Sequence, residues 1–276
     1  MSRRASVLPR AACALAALAL LAAARPAPAA AQGIWDRLKQ AAGVVRAMLP
    51  ISTAKEIEIG RGIAATIAGR YPVSRDTALT RYVNLVGLTV AGVSPRPDIN
   101  YHFAVLETPE VNAFAAPGGY VFITRGALGL IHNEAELAGV LAHEVGHVNA
   151  RHVINQIRKS DAMRQLKSDL DIQGGALDQL VGSGSNALFM GLSRDDELQA
   201  DSLGLEYAAA AGYDPGGLAA FVGRLTQHAS ESGLRAFFAT HPRPDERVAR
   251  LDAIAAREHL TGGVDLARRY QEEINR

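Results

Sequence analysis

The stretch "LAHEVGHVNARH", residues 141–152, sets His143, His147 and His152 with Glu144 among aliphatic neighbours. An α-helix advances about 100° per residue, so His143 and His147 fall about 40° apart, one turn above the other, and both rings can reach a single ion. Leu137, Leu141, Val145 and Val148 gather on another face of the same helix, so the histidines are not part of its apolar stripe. Glu144 projects beside them, close enough to touch a molecule held by the ion without being a ligand. Two neutral imidazoles, a third protein ligand and an open fourth position are what a hydrolytic zinc site requires, with a carboxylate next to the open position to take a proton from water. One Zn2+ per chain is therefore the expected cofactor.

The third ligand has to come from elsewhere. A histidine six residues beyond His147 would complete one common arrangement, but Val153 stands there, and Ala150 occupies the place of a required glycine. His152 is one residue early and is read as hydrogen-bonding nearby. The segment "SRDDELQAD", residues 193–201, supplies an alternative. Glu197 and Asp201 are one helical turn apart on one face. Gly204 and Ala208 continue that face with small side chains, which lets this helix approach the His143 helix closely. Glu197 is read as the third ligand, and Asp201 as the acceptor that fixes the tautomer of a ligand histidine. Asp195 and Asp196 are read as a solvated acidic first turn, favourable at any helix start.

The N-terminus has a different character. Arg3, Arg4 and Arg10 precede an uncharged run from Ala11 to Ala24 and the small-residue stretch "RPAPAAAQG". This is the order of a cleavable signal peptide over residues 1–31, which predicts export to the periplasm. The apolar run falls short of the roughly 20 residues of a spanning helix, and no later segment comes near that length, so no transmembrane segment is expected in the mature chain. The 276 residues carry 29 Lys and Arg against 28 Asp and Glu. The signal removes four arginines and no acid, leaving a net charge of −3 that gives no reason to expect a nucleic-acid partner. The only cysteine, Cys13, lies in the signal, so the mature chain forms no disulfide.

Residues 32–51 read as an N-terminal helix or linker, with helical spacing over 34–48 ended by Pro50. Trp35 there packs on the domain or on a partner. Residues 52–276 read as one domain. Helices are expected over 53–68, 76–91 with Asp76 as cap, 127–158, 193–211, from Asp214-Pro215 onward, and after Pro244. Short β-type runs at 101–107 and 119–124 are joined through "TPEVNAFAAPG". Residues 159–192, a polar helical stretch followed by "QGG" and "GSGSN", read as a mobile loop or lid, or equally as a surface linker. The sum is a mainly helical α+β fold.

Four ordered segments, "NAFAAPGGYVFITRGAL", "ELAGVLAHEVGHVNARH", "SRDDELQAD" and "THPRPDER", resemble the zinc metallopeptidase family that contains HtpX, BepA and the CAAX prenyl proteases, the gluzincins. The resemblance spans roughly residues 52–256 and lies nearest the soluble periplasmic BepA-like members. It implies a mainly helical metallopeptidase domain with one small β-sheet packed on the HExxH helix. It also implies His143, His147 and Glu197 as ligands, Glu144 as catalytic base and Asp201 as their outer partner. The implied activity is a zinc endopeptidase acting on unfolded or misassembled envelope proteins, in envelope quality control. The competing reading is a non-catalytic, chaperone-like periplasmic binding module with a structural zinc.

Two further readings follow from the family pattern. A short strand at "VNAFAAPGG" with an unpaired edge would bind an extended peptide by backbone pairing, so that Asn112, Ala113 and Phe114 would line the substrate cleft; equally, it is an ordinary buried strand with a turn. The "THPRPDER" loop brings His241 near the cleft, where it would donate to the developing oxyanion, act as an inhibitory fourth ligand, or be a plain loop histidine; the second is favoured. Arg247 would anchor this loop or bind substrate carbonyls. His102, His132, His228 and His259 have no motif around them and read as ordinary histidines.

Overall fold

The computed structural model describes residues 50–167, 175–227, 234–241 and 244–276. The expected signal peptide, the helix over 34–48 and His228 lie outside the described residues. The chain enters through α1 (Thr53–Arg70), capped by the Ser52 hydroxyl, and α2 (Thr77–Ala91), capped by the Asp76 carboxylate. Three strands follow: β1 (His102–Leu106), β2 (Ala113–Ala116) and β3 (Tyr120–Thr124). They form one sheet in the order β1-β3-β2, with β3 parallel to β1 and antiparallel to β2. The β2–β3 reversal uses Gly118 and Gly119 at φ +74° and +91°, conformations that side-chain-bearing residues avoid.

Helices make up the rest: α3 (Arg125–Leu130), α4 (Glu134–Asn149), α5 (His152–Lys167), α6 (Ala176–Met190), α7 (Arg194–Ala210), α8 (Gly216–Gln227), α9 (Arg235–Thr240), α10 (Pro244–Arg257) and α11 (Ala267–Ile274). The single helix expected over 127–158 is thus three. Asn133 starts α4 by accepting from the Glu136 amide at 2.9 Å, which ends α3 and sets a new axis. Arg151 separates α4 from α5 with a left-handed backbone, φ +58°.

The "GSGSN" stretch is also helical, lying inside α6. A Cβ on Gly184 would stand 2.4 Å from Ile63 Cδ1 of α1, so this glycine allows close helix packing and is not a loop residue. Residues 168–174, the middle of the expected lid or linker, lie outside the described residues.

Helix α4 is the centre of the molecule. Every residue from Glu134 to Val148 is buried. The strands β2 and β3, and the helices α2, α7 and α8, all pack on it. Leu137, Leu141 and Val145 are fully buried, each contributing up to about 1.5–3 kcal/mol. The histidine face is therefore covered as well, by α7, which comes so near that a Cβ on Gly204 would lie 2.8 Å from His143 Cα. The first turn of α4 carries two charged anchors. Glu134, fully buried, accepts from the hydroxyls of Tyr82 and Tyr213 at 2.9 and 2.8 Å and pairs with Arg269. Glu136 takes both ends of the Arg224 guanidinium at 2.7 and 2.8 Å.

Candidate metal centre

The donors expected from the sequence meet in one place. Ring nitrogens of His143, His147 and His241 and a carboxylate oxygen of Glu197 all lie within 4.8 Å of one another, and all four residues are buried. Two bonds of about 2.0–2.1 Å meeting at a tetrahedral angle place nitrogen donors about 3.3 Å apart. His143 Nε2 and His147 Nε2 are 3.0 Å apart, and Glu197 oxygens stand 3.4 Å from His147 Nε2 and 3.7 Å from His143 Nε2. Glu197 Oε1 is buried without a hydrogen bond and faces this cluster, an orphan that an ion would satisfy. The residues present thus fit a four-coordinate metal ion.

Their electrostatics agree with that fit. Burial pushes the His143 imidazole down to about 4, against the pull of Asp201, so it stays neutral as a ligand must. Burial would raise Glu197 and Asp201, but both are held well below the usual carboxylate range, Glu197 by His241 and His147, Asp201 by Arg247 and His143. Burial pushes Glu144 up to about 7; His147 and Arg247 oppose the rise and Glu197 adds to it. This carboxyl, 2 % exposed, sits on α4 between the two histidines and is not one of the four clustered donors.

Around the donors, Asp201 Oδ1 approaches His143 Nδ1 at 3.0 Å, on a path bent away from an aligned hydrogen bond. Arg247 grips Asp201 with two bonds of 2.8 and 2.7 Å. Arg247 lies on α10, just past the loop, and ties that helix to α7 through Asp201, while its Nη1, buried and without a hydrogen bond, stands 3.7 Å from Glu197 Oε2. Asp195 is exposed, and Asp196 forms a reciprocal cap with Ser193 at the start of α7. His102, His132 and His259 stand apart from the centre.

Strand β2 forms the wall opposite α4. It is an edge strand among the described residues, yet all four of its residues are buried, because α6 and the segment at Thr240–His241 lie over it. Asn112 and Ala113 line a cavity beside Glu144, and Ala113, Phe114 and Ala115 line a second one beside Glu144 and His147. The Phe114 ring packs away into a separate core against Tyr71 and Phe189. The first cavity has an apolar far wall of Val140, Leu218, Phe221, Val222 and Phe237. Sequence reasoning missed this wall, because its residues come from α4, α8 and α9 with no local pattern that links them. The expectation that His152 hydrogen-bonds nearby holds, and the structure names its partner as His147, Nδ1 to Nδ1 at 2.9 Å.

Comparison with known proteins gives a consistent result. The chain is 26% identical over 211 residues to the Beta-barrel assembly-enhancing protease of Escherichia coli (strain K12), covering 72% of this chain and 43% of that protein. It is 32% identical over 178 residues to the Mitochondrial metalloendopeptidase OMA1 of Schizosaccharomyces pombe, covering 63% and 52%. To the Metalloprotease YcaL of Escherichia coli it is 28% identical over 218 residues, covering 76% and 83%. The chain therefore spans less than half of the first relative and about half of the second. No helix among the described residues is long and apolar enough to cross a membrane. A family model for Peptidase family M48 matches residues 77–255, from α2 through α10 and across every donor above, so the chain belongs to that metallopeptidase family.

Proposed function

We propose that the chain is an exported zinc endopeptidase that cleaves unfolded or misassembled envelope proteins. The observation that carries the peptidase reading is the buried Glu144 carboxyl, raised toward neutral pH and set between two ligand histidines. His143, His147 and Glu197 would hold the zinc. When bound, the ion supplies Lewis acidity to the scissile carbonyl and to a water. Glu144 accepts the proton of the attacking water and returns it to the leaving amine. The edge of β2 orders the peptide backbone, and the apolar cavity beside Glu144 accepts an apolar side chain next to the scissile bond. The envelope assignment is supported by the signal-like residues 1–31 and by the relative named for β-barrel assembly.

His241 Nδ1 stands 2.8 Å from Glu197 Oε2, within the donor cluster and over the β2 edge. We read it as a latch that fills the position of the water and leaves when the α9 segment moves. The rival reading, a binding module with a structural zinc, gives no role to Glu144. Cleavage of an unfolded protein by wild type and by Glu144→Gln, with zinc content measured on both, tests the proposal. The expected result is a zinc-loaded Glu144→Gln protein that does not cleave. Equal cleavage by the two would overturn the mechanism, and two zinc-loaded proteins that bind without cutting would favour the rival.

A further inference from the structure

We infer that His152 is a positioning residue for His147, and that a chain of three side chains, Gln199, His152 and His147, sets the proton on the ligand histidine. A histidine that gives one ring nitrogen to a metal needs a partner for the other, most often a carboxylate, a carbonyl or water. His143 has Asp201 in that role. His147 turns Nε2 into the donor cluster and Nδ1 toward His152 Nδ1 at 2.9 Å, with the rings 4.9 Å apart and inclined by 76°.

The protonation states follow from counting. A ligand nitrogen carries no proton, so the proton of neutral His147 is on Nδ1, and it donates to His152. His152 Nδ1 must then be a lone pair, and its own proton must be on Nε2. That nitrogen lies 3.0 Å from Gln199 Oε1, an acceptor, and 3.7 Å from Asp196 Oδ1. Each donor in the chain meets an acceptor, in one order only.

The contact depends on the break after α4. On a continuous helix, residues five apart point about 140° away from each other and do not touch. The left-handed Arg151 reverses the chain, so that His152 begins α5 facing back onto His147. That backbone is held from outside, by the ion pair of Arg151 with the fully buried Glu56 at 2.9 Å and by its bond to the Ile51 carbonyl. A strained residue supported in this way, immediately before a buried histidine, marks a contact that the fold maintains. A neutral acceptor orients His147 without adding negative charge, just as Arg247 neutralises Asp201 behind His143.

The proposal rests on the metal-centre reading, and its readout is zinc affinity, measured by competition with a chromophoric chelator on the full chain. Asn places an oxygen where His carries Nδ1, so His152→Asn keeps the acceptor and His152→Leu removes it. His152→Leu is expected to bind zinc at least about tenfold more weakly, and His152→Asn within about threefold of wild type. The cobalt-substituted Leu variant should also show shifted visible bands, and the Asn variant should not. Leu within twofold of wild type, or Asn as weak as Leu, would overturn the proposal. Glu197→Ala serves as the control: undiminished affinity there would instead overturn the centre itself. Long-range 1H–15N correlation on zinc-loaded wild type needs no variant. It should show His147 protonated at Nδ1 and His152 at Nε2, and the opposite tautomer of His152 would refute the chain.

Discussion

Replacing Gly204 with alanine tests the close approach that aligns the two donor helices. The new Cβ would stand 2.8 Å from both the backbone nitrogen and the Cα of His143, where ordinary contact needs about 3.5 Å. Helices α4 and α7 must therefore part by about 0.7 Å, and Glu197 and Asp201 travel with α7. Overpacking of this kind costs about 1–3 kcal/mol. The better helix propensity of alanine offsets about 1 kcal/mol of that, leaving a net loss of about 1 kcal/mol. In a domain of this size the melting temperature falls by about 2–4 °C. The donors feel the change more, because metal–ligand distances tolerate only about 0.2 Å. Zinc affinity should drop about tenfold or more, as when an outer partner of a ligand is lost. Gly182→Ala is the control: nothing lies within 4 Å of its Cβ, so it should stabilise α6 by about 0.5–1 kcal/mol and leave zinc binding alone. Thermal melts and chelator competition decide. A Gly204→Ala protein that melts no lower and binds zinc as tightly as wild type would refute the reasoning.

Other outcomes are expected from the same geometry. Glu197→Ala should lose zinc, measured by atomic absorption, whereas Asp195→Ala should keep it. Asp196→Ala should also keep it, while losing about 1 kcal/mol with the cap at Ser193. His241→Ala should raise basal cleavage of an unfolded protein if the residue is a latch; a fall of roughly a hundredfold would make it an oxyanion donor instead. Arg247→Met strands the buried Asp201 carboxylate and should cost about 3–5 kcal/mol in urea denaturation, and a loss below about 1 kcal/mol would contradict the pairing.

Three of the four donors were legible because they obey local rules, whereas His241 was placed by the family pattern alone. His143 and His147, and Glu197 and Asp201, are each one helical turn apart, and Gly204 lies on the same stripe as the acids. What stayed hidden depends on partners far along the chain. The left-handed backbone at Arg151 is stabilised by Glu56, so nothing in "HVNARH" shows that the helix stops there. The glycines of "GSGSN" resemble a loop until Ile63 and Ile157 are seen to need the space at Gly184. Asn133 is a case where the signal was present, an Asn three residues before Glu136, but the aliphatic periodicity ran across it.

The anchoring of Glu134 has a consequence in time. Its guanidinium partner, Arg269, is 135 positions further along the chain. At about 5–20 residues per second, a ribosome delivers that partner roughly ten seconds after the helix that needs it. During the interval, seating the first turn of α4 would bury a carboxylate that has tyrosine hydroxyls but no cation beside it, a cost of several kcal/mol. The helix that bears the histidines thus gains its full set of anchors only once Arg269 is available. The donor centre carried by α4 therefore closes together with the segment around Arg269, as one cooperative unit.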